Sequence, residues 1–532
     1  MQTDTTSKIP KGKWLAISVL FLLGALLLRW PTIPFIDSAP LDPNFPLHAL
    51  AAKGISEGNL FTLPYLEWPQ GASVRYIAWP VLLIATPLNF FCSAVAAMNI
   101  SVFLWVWLQG IGAFCVGKKW GFSISSCFLL GVGCMFSPIQ VLAMGNGQFE
   151  NMAMLPLLWF IYAISQNKSC FFPLALCLFS SPYQGVCALL AVPFFVFSNN
   201  KILWKPLLEI LCLLGITYVY FHAVSQGNVH ESVQPAPAVL SEKALPTAIF
   251  MPHNLAESGG VPLNGPIQRL QQLTILPVSA EYNHRWPWIV STAGSYIGLT
   301  YWFALILLWR RKNKPKRILL WALVSLTCSL GATFANTSFP LPWFLTTWLP
   351  GLSQMQATSR LLGGFSVALL LVAAQHSARW TKVFIPLIII EGLLVSPSHW
   401  PIPAKAPLPA SNILDIENPV AFWPAAPVIA SHKVTMTALM LEQPLSLFAD
   451  TELKMPNANG RVQYGQNRKN KHGQNITEWK DSICSAQVRT LIQFRDIVGD
   501  NGQPFFTGVQ TLNKHCQSSF CRWQLCENLE RP

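Results

Sequence analysis

The sequence predicts an all-α polytopic membrane protein of about eleven transmembrane helices, followed by a small C-terminal soluble domain of α/β or β-rich type. Three observations carry that expectation. Of 532 residues, 52% are hydrophobic and only 11% are charged, too few charges to cover a globular surface of this length. Apolar runs recur as far as residue 396, most of them near the roughly 20 residues a helix needs to cross the hydrocarbon. Clusters of Lys and Arg stand between alternate runs, as cytoplasmic loops do. The formal charge of +13 is scattered among these clusters, with no aromatic-interleaved patch, so nucleic acid is not an expected partner.

Lys8, Lys11 and Lys13 place the N-terminus inside, and the first span, about 14 to 30, runs outward without a small-residue cleavage site after it. Two apolar stretches follow, about 77 to 94 and 97 to 117. If both crossed, "RRKNKPKR" at 310 to 317 would lie outside, so one of them cannot cross. The earlier stretch holds Pro80 and Pro87 and suits a surface or re-entrant segment, whereas the later one runs uninterrupted into Lys118 and Lys119. Further spans fall at about 121 to 142, 152 to 166, 170 to 181 and 184 to 198. After these come spans at about 206 to 222, 287 to 309, 318 to 335, 360 to 377 and 383 to 396. The run at 170 to 181 is short, and with its neighbour could form a re-entrant hairpin without changing the parity.

This map gives a multi-pass protein of the cell (inner) membrane, surrounded by membrane lipids. The N-terminus is cytoplasmic, the transmembrane domain covers residues 1–396, and an extracytoplasmic domain covers 397–532. In the tail, short runs such as "RTLIQFRDIV" read as strands. Its four cysteines, Cys484, Cys516, Cys521 and Cys526, predict two disulfides in an oxidising compartment, with three connectivities open. Zinc needs tighter pairing than "CQSSFCRWQLC" offers. The outer face collects the acids of the spanning part, including Asp37, Asp42, Glu57, Glu67 and Glu150. Glu209 and Glu391 fall inside spans, near their ends; the inverted repeats and multiple mid-depth charges of a transporter are not evident.

One stretch concentrates polar groups against a span. "MGNGQFENMAMLPLLWF" at 144 to 160 brings Asn146, Gln148, Glu150 and Asn151 together, more amides and acid than a glycine turn requires. Together with "IDSAPLDPNFPLHALAAKG", the "WPQG" turn at 68 to 71, "SSPYQG" at 180 to 185 and "LPGLSQMQATSR" at 349 to 360, this order of short motifs resembles the GT-C membrane glycosyltransferases. The likeness is to an uncharacterised bacterial branch of that superfamily and covers about 31 to 380, plus the placing of a soluble tail.

The resemblance implies an enzyme that moves a hexose or pentose from a polyprenyl-phosphate carrier to a glycan, lipid or protein acceptor on the extracytoplasmic side. Its partners are then the lipid-linked sugar donor and that acceptor; no cofactor is required, and no metal site is assigned. The acceptor hydroxyl must lose a proton, a task for Asp42 first and Asp37 second; Asp42 also suits a helix N-cap before Pro43. Arg360, with Arg75 as a weaker second, would meet the carrier phosphate; an interfacial anchor is the other reading of Arg360. Asn146, Gln148, Glu150 and Tyr183 would line the substrate site. Two departures from the family pattern, a lone Glu150 and Gln356 where a basic residue is usual, leave open a non-catalytic scaffold or assembly factor for envelope polysaccharide or protein complexes. His253 and Glu257 have an i,i+4 spacing that could hold a metal only with further ligands.

Overall fold

A computed structural model describes residues 10–30, 45–60, 78–145, 147–198, 201–226, 296–309, 315–331, 358–376 and 380–395, together with Thr32 and short strand pieces elsewhere. The described part is a membrane protein built of packed helices. Helix α1 (Lys11–Leu28) leads to α2 (Phe45–Ser56) and the ten-residue α3 (Trp79–Leu88), then to α4 (Ala94–Lys119). Next come α5 (Ile124–Phe136), α6 (Pro138–Gly145), α7 (Met154–Ser165), α8 (Phe171–Ser180), α9 (Pro182–Phe195) and α10 (Trp204–Gln226). The last four are α11 (Leu299–Trp309), α12 (Lys316–Ser329), α13 (Leu362–His376) and α14 (Thr381–Ile390).

Four described helical stretches are long and apolar enough to cross a membrane: Lys11–Leu28, Ala94–Lys119, Ile124–Gly145 and Thr358–Gln375. The helix expected at about 77 to 94 is only ten residues long in the structure, too short to cross at 1.5 Å per residue. Its start is tied to the break between α8 and α9, where the Ala78 N–H donates to the Ser180 carbonyl at 2.8 Å. Both short helices therefore end against protein, which is where irregular backbone can be accommodated inside a membrane. Ser181 terminates α8, and its hydroxyl accepts from the Tyr183 N–H to cap α9, with Pro182 at the first turn.

Small residues let the long helices approach. Phe21 of α1 stacks on Phe128 at 5.0 Å, in space left by Gly110 of α4 and Gly131 of α5; a Cβ on Gly131 would come within 2.3 Å of that ring. The same logic brings α13 against α12 and α9, because Gly364 lies where a Cβ would meet Ser325 and Cys187. Trp321 of α12 donates its indole N–H to the Cys187 carbonyl at 3.1 Å and fixes that contact.

The two glutamates placed within spans each cap a neighbouring helix. Glu209 of α10 accepts from the Cys170 and Phe171 N–H groups at 2.6 and 3.0 Å, and from the Ser169 hydroxyl at 3.1 Å, at the start of α8. Glu391, on the π-turn that follows α14, accepts from the Thr300 N–H at 3.2 Å and from the Tyr296 hydroxyl at 3.2 Å, at the start of α11. A carboxylate aimed at a helix N-terminus satisfies orphan donors and meets the positive end of the helix dipole.

In the tail, strands at 514–516, 520–524, 490–494 and 420–423 form one sheet in that order, with 490–494 antiparallel to 520–524 and parallel to 420–423. The first half of "RTLIQFRDIV" is thus a strand. Backbone residues 39–40 of the first loop pair antiparallel with 404–405, just beyond the last span.

Candidate functional site

The site grows from the way α6 ends. Gly147 adopts φ +61, its N–H donates to the Met144 carbonyl at 3.3 Å, and the Gln148 N–H reaches back to the Ala143 carbonyl at 2.8 Å. These two bonds are the Schellman closure of a helix, which calls for a left-handed residue that glycine supplies at least cost. Gln148 emerges directly after the closure. A single 3-10 turn, Phe149–Asn151, then buries Phe149, Glu150 and Asn151 before α7 begins. Trp105 of α4 pins the far side of the turn by donating its indole N–H to the Met152 carbonyl at 2.7 Å.

Phe149 and Glu150 draw three other elements to this turn. The Phe149 ring packs edge-on against Phe45 at 6.2 Å and lies 5.3 Å from the His48 ring, both residues on α2. His48 Nε2 stands 3.5 Å from Glu150 Oε2. The other oxygen, Oε1, accepts from Arg360 Nη1 at 3.2 Å. Arg360 comes from a 3-10 turn, Thr358–Leu361, that opens α13 and is held to α12 by the Thr358 hydroxyl donating to the Ser329 carbonyl at 3.2 Å. Its guanidinium carbon lies 5.2 Å from the centre of the Tyr183 ring, a cation–π contact with the start of α9.

One carboxylate therefore spans two basic side chains from opposite ends of the transmembrane sequence. Burial works to raise the Glu150 pKa, but the neighbouring His48 side chain and the Arg360 guanidinium outweigh it and hold the carboxyl below the ordinary carboxylate range. Glu150 is ionised at neutral pH.

Beside this ion pair lies a small cavity of about 30 Å³. Gln148, Asn151, Gln184, Ser359 and Arg360 supply its polar wall, and Ile139, Leu142 and Ala143 of α6 its apolar floor. Space of that size admits a water or two. The Asn151 amide donates to Gln148 Oε1 at 3.3 Å. Asn151 Oδ1 and the Ser359 hydroxyl are buried with no hydrogen-bond partner among the described residues.

Four expected site residues, Gln148, Glu150, Tyr183 and Arg360, meet within this cluster. Asp37, Asp42, Arg75 and Asn146 lie outside the described residues, as do Cys484, Cys526 and Glu257. For Cys516 and Cys521 the backbone register makes the two residues partners across adjacent strands. Sequence reasoning missed His48, Gln184 and Ser359. Each stands within a quoted motif, but a histidine among alanines and an amide at the start of a helix give no signal until the elements are assembled.

No protein-family model matches the chain, and no curated protein matches it. Among solved structures, the chain is similar to ArnT from Cupriavidus metallidurans bound to undecaprenyl phosphate, at 10% identity and a TM-score of 0.45, covering 98% of this chain and 100% of that one. It is also similar to the same protein in the apo state, at 11% identity and a TM-score of 0.43, covering 96% and 98%. Likeness at this distance assigns neither a residue nor an activity.

Proposed function

We propose that the chain is a GT-C-type membrane glycosyltransferase that moves a sugar from a polyprenyl-phosphate carrier to an acceptor on the extracytoplasmic side of the inner membrane. The observation that carries this reading is the meeting of Arg360, Tyr183 and Gln148 with Glu150 at a cavity formed where α6, α9 and α13 end. A transferring sugar phosphate needs a cation for its leaving phosphate and hydrogen-bonding groups for its ring, in a site of low dielectric. Arg360 supplies the first and the amides the second. Tyr183 flanks the guanidinium at cation–π distance. The Asp42 carboxylate of the first loop takes the acceptor proton, with Asp37 as the alternative; α2, which begins three residues after Asp42, already reaches Glu150 through His48.

The pairing of residues 39–40 with 404–405 supports the proposed topology, because it joins the first loop to the chain beyond the last span on one side of the membrane. On this reading residues 397–532 form the extracytoplasmic domain, and Cys484, Cys516, Cys521 and Cys526 form two disulfides. The Cys516–Cys521 register favours that pair among the three connectivities. A non-catalytic scaffold is the second reading, favoured by the neutralisation of Arg360 by Glu150.

Purified protein assayed with radiolabelled polyprenyl-phosphate sugars and a membrane-lipid acceptor fraction should transfer label. Asp42→Asn should lower the rate by about 10²- to 10⁴-fold, the usual worth of a positioned base, while carrier binding persists. Carrier binding without transfer to any acceptor fraction would favour the scaffold.

A further inference from the structure

The first loop is anchored at two places that lie close together in the sequence. Ala39 and Pro40 pair antiparallel with Lys405 and Ala404, which come after the last apolar helix. A few residues later α2 begins at Phe45, which is fully buried, and Pro46, His48, Ala49 and Leu50 are buried after it. Phe45 meets the Phe149 ring at 6.2 Å, and His48 Nε2 stands 3.5 Å from Glu150 Oε2. Only residues 41–44 separate the two anchors, and Asp42 is the one acid among them in the sequence. From Pro40 to Phe45 the chain can span at most about 18 Å, at about 3.6 Å for each step.

The bridge at 39–40 is minimal, and Pro40 tells which groups carry it. Proline has no N–H, so Pro40 cannot exchange hydrogen bonds with Ala404. Bonded and non-bonded pairs alternate along an antiparallel ladder, which leaves the exchanged bonds to the backbones of Ala39 and Lys405. Such a bridge is too short to found a sheet. It acts on a segment whose other end a buried helix already holds, and a second anchor there removes most of the conformations that a loop tied at one end would sample.

From this arrangement we infer that the Lys405 backbone is a positioning element of the transfer site: by pairing with Ala39 it holds the first loop against α2 and so fixes Asp42 for removal of the acceptor proton. The inference rests on the glycosyltransferase reading above and deepens it, because it gives the chain beyond the last span a task in the reaction. The carboxylate that accepts the proton belongs to the first loop; residue 405 acts only through it.

The test uses the full-length protein in lipid nanodiscs, with polyprenyl-phosphate glucose, mannose and arabinose as donors and the membrane-lipid fraction as acceptor. Lys405→Pro removes the N–H that residue 405 gives to the pairing. It should lower kcat by about 10- to 10²-fold, the scale of a small misplacement of a catalytic group, with the donor KM and carrier binding unchanged. Lys405→Ala keeps that N–H and should keep the rate. A non-bonded antiparallel pair has its Cα atoms about 4.5 Å apart, within disulfide reach, so adding Pro40→Cys and Ala404→Cys to the Lys405→Pro protein should restore transfer on oxidation. Full-rate transfer by Lys405→Pro overturns the inference and leaves the enzyme reading standing. Equal losses in Lys405→Ala and Lys405→Pro overturn it too, by assigning the effect to the side chain, and so does a loss of carrier binding alongside the rate in Lys405→Pro. No transfer by the unmodified protein overturns both readings.

Discussion

Glu391 and Glu150 are both buried carboxylates near the ends of apolar helices, and they are satisfied in opposite ways. Glu391 faces fixed donors, the Thr300 backbone N–H and the Tyr296 hydroxyl, at the start of α11. Glu150 faces two basic side chains, His48 and Arg360, beside a cavity where Asn151 Oδ1 and the Ser359 hydroxyl have no hydrogen-bond partner among the described residues. Backbone amides cannot leave, so a carboxylate that caps them holds the fold together. A side chain such as Arg360 can be re-partnered by an incoming anion, so a carboxylate that meets it is not committed to the fold in the same way. The contrast separates an acid held by helix-end donors from one held by side chains where hydropathy treats them alike.

The strongest way to break this contrast is Arg360→Ala. It strands the Glu150 carboxylate in a buried position and removes the proposed phosphate ligand. Removing one partner of a buried pair costs roughly 3–5 kcal/mol, so thermal unfolding in detergent should fall by several degrees while carrier binding is lost. An unchanged melting temperature would mean that the Glu150–Arg360 contact carries no weight in the fold.

Glu391→Ala should cost about 1–3 kcal/mol by leaving a buried N–H without an acceptor, and the loss should appear as lowered thermal stability without a change in lipid selectivity. A selective loss of carrier binding at unaltered stability would move Glu391 into the functional class. Gly147→Ala should cost about 1–2 kcal/mol, because the closing turn of α6 requires a left-handed residue there. Its signature is weaker sugar-dependent binding with the bare-carrier affinity retained, since Gln148 is the residue the turn presents.

The smallest and sharpest effect belongs to Glu150→Gln. Glutamine keeps the volume and an oxygen that accepts from Arg360 but not the charge, so the guanidinium is freer for a phosphate and affinity for the bare carrier should rise by roughly severalfold. Weaker carrier binding would show that Glu150 positions Arg360 instead of competing for it. The pH profile follows from the same pair. Because the folded pKa of Glu150 is depressed, the stability it contributes is present above the ordinary carboxylate value and is lost only as pH falls through the lower folded value. Between pH 6 and 8, neither stability nor carrier affinity should vary on account of Glu150.

Much of the helical layout was legible in the chain itself. Hydropathy located most of the described apolar helices within a few residues, because a hydrocarbon slab imposes length and loss of charge on each segment separately; the one expected from about 287 is described as a helix only from Leu299. The prolines at 80 and 87 suited the short α3 to a surface or re-entrant segment, and the glycine-rich turn after α6 announced its polar burden, since both depend on local backbone rules. What only the tertiary structure decided was partnership. That Glu209 and Glu391 cap helices far away in the sequence, that Glu150 faces His48 and Arg360, and that Gln184 and Ser359 share a cavity with Asn151, all depend on which helix ends are neighbours. Apolar faces packing in lipid do not announce their partners in sequence, because small residues and close van der Waals fit select them, and neither leaves a periodic mark.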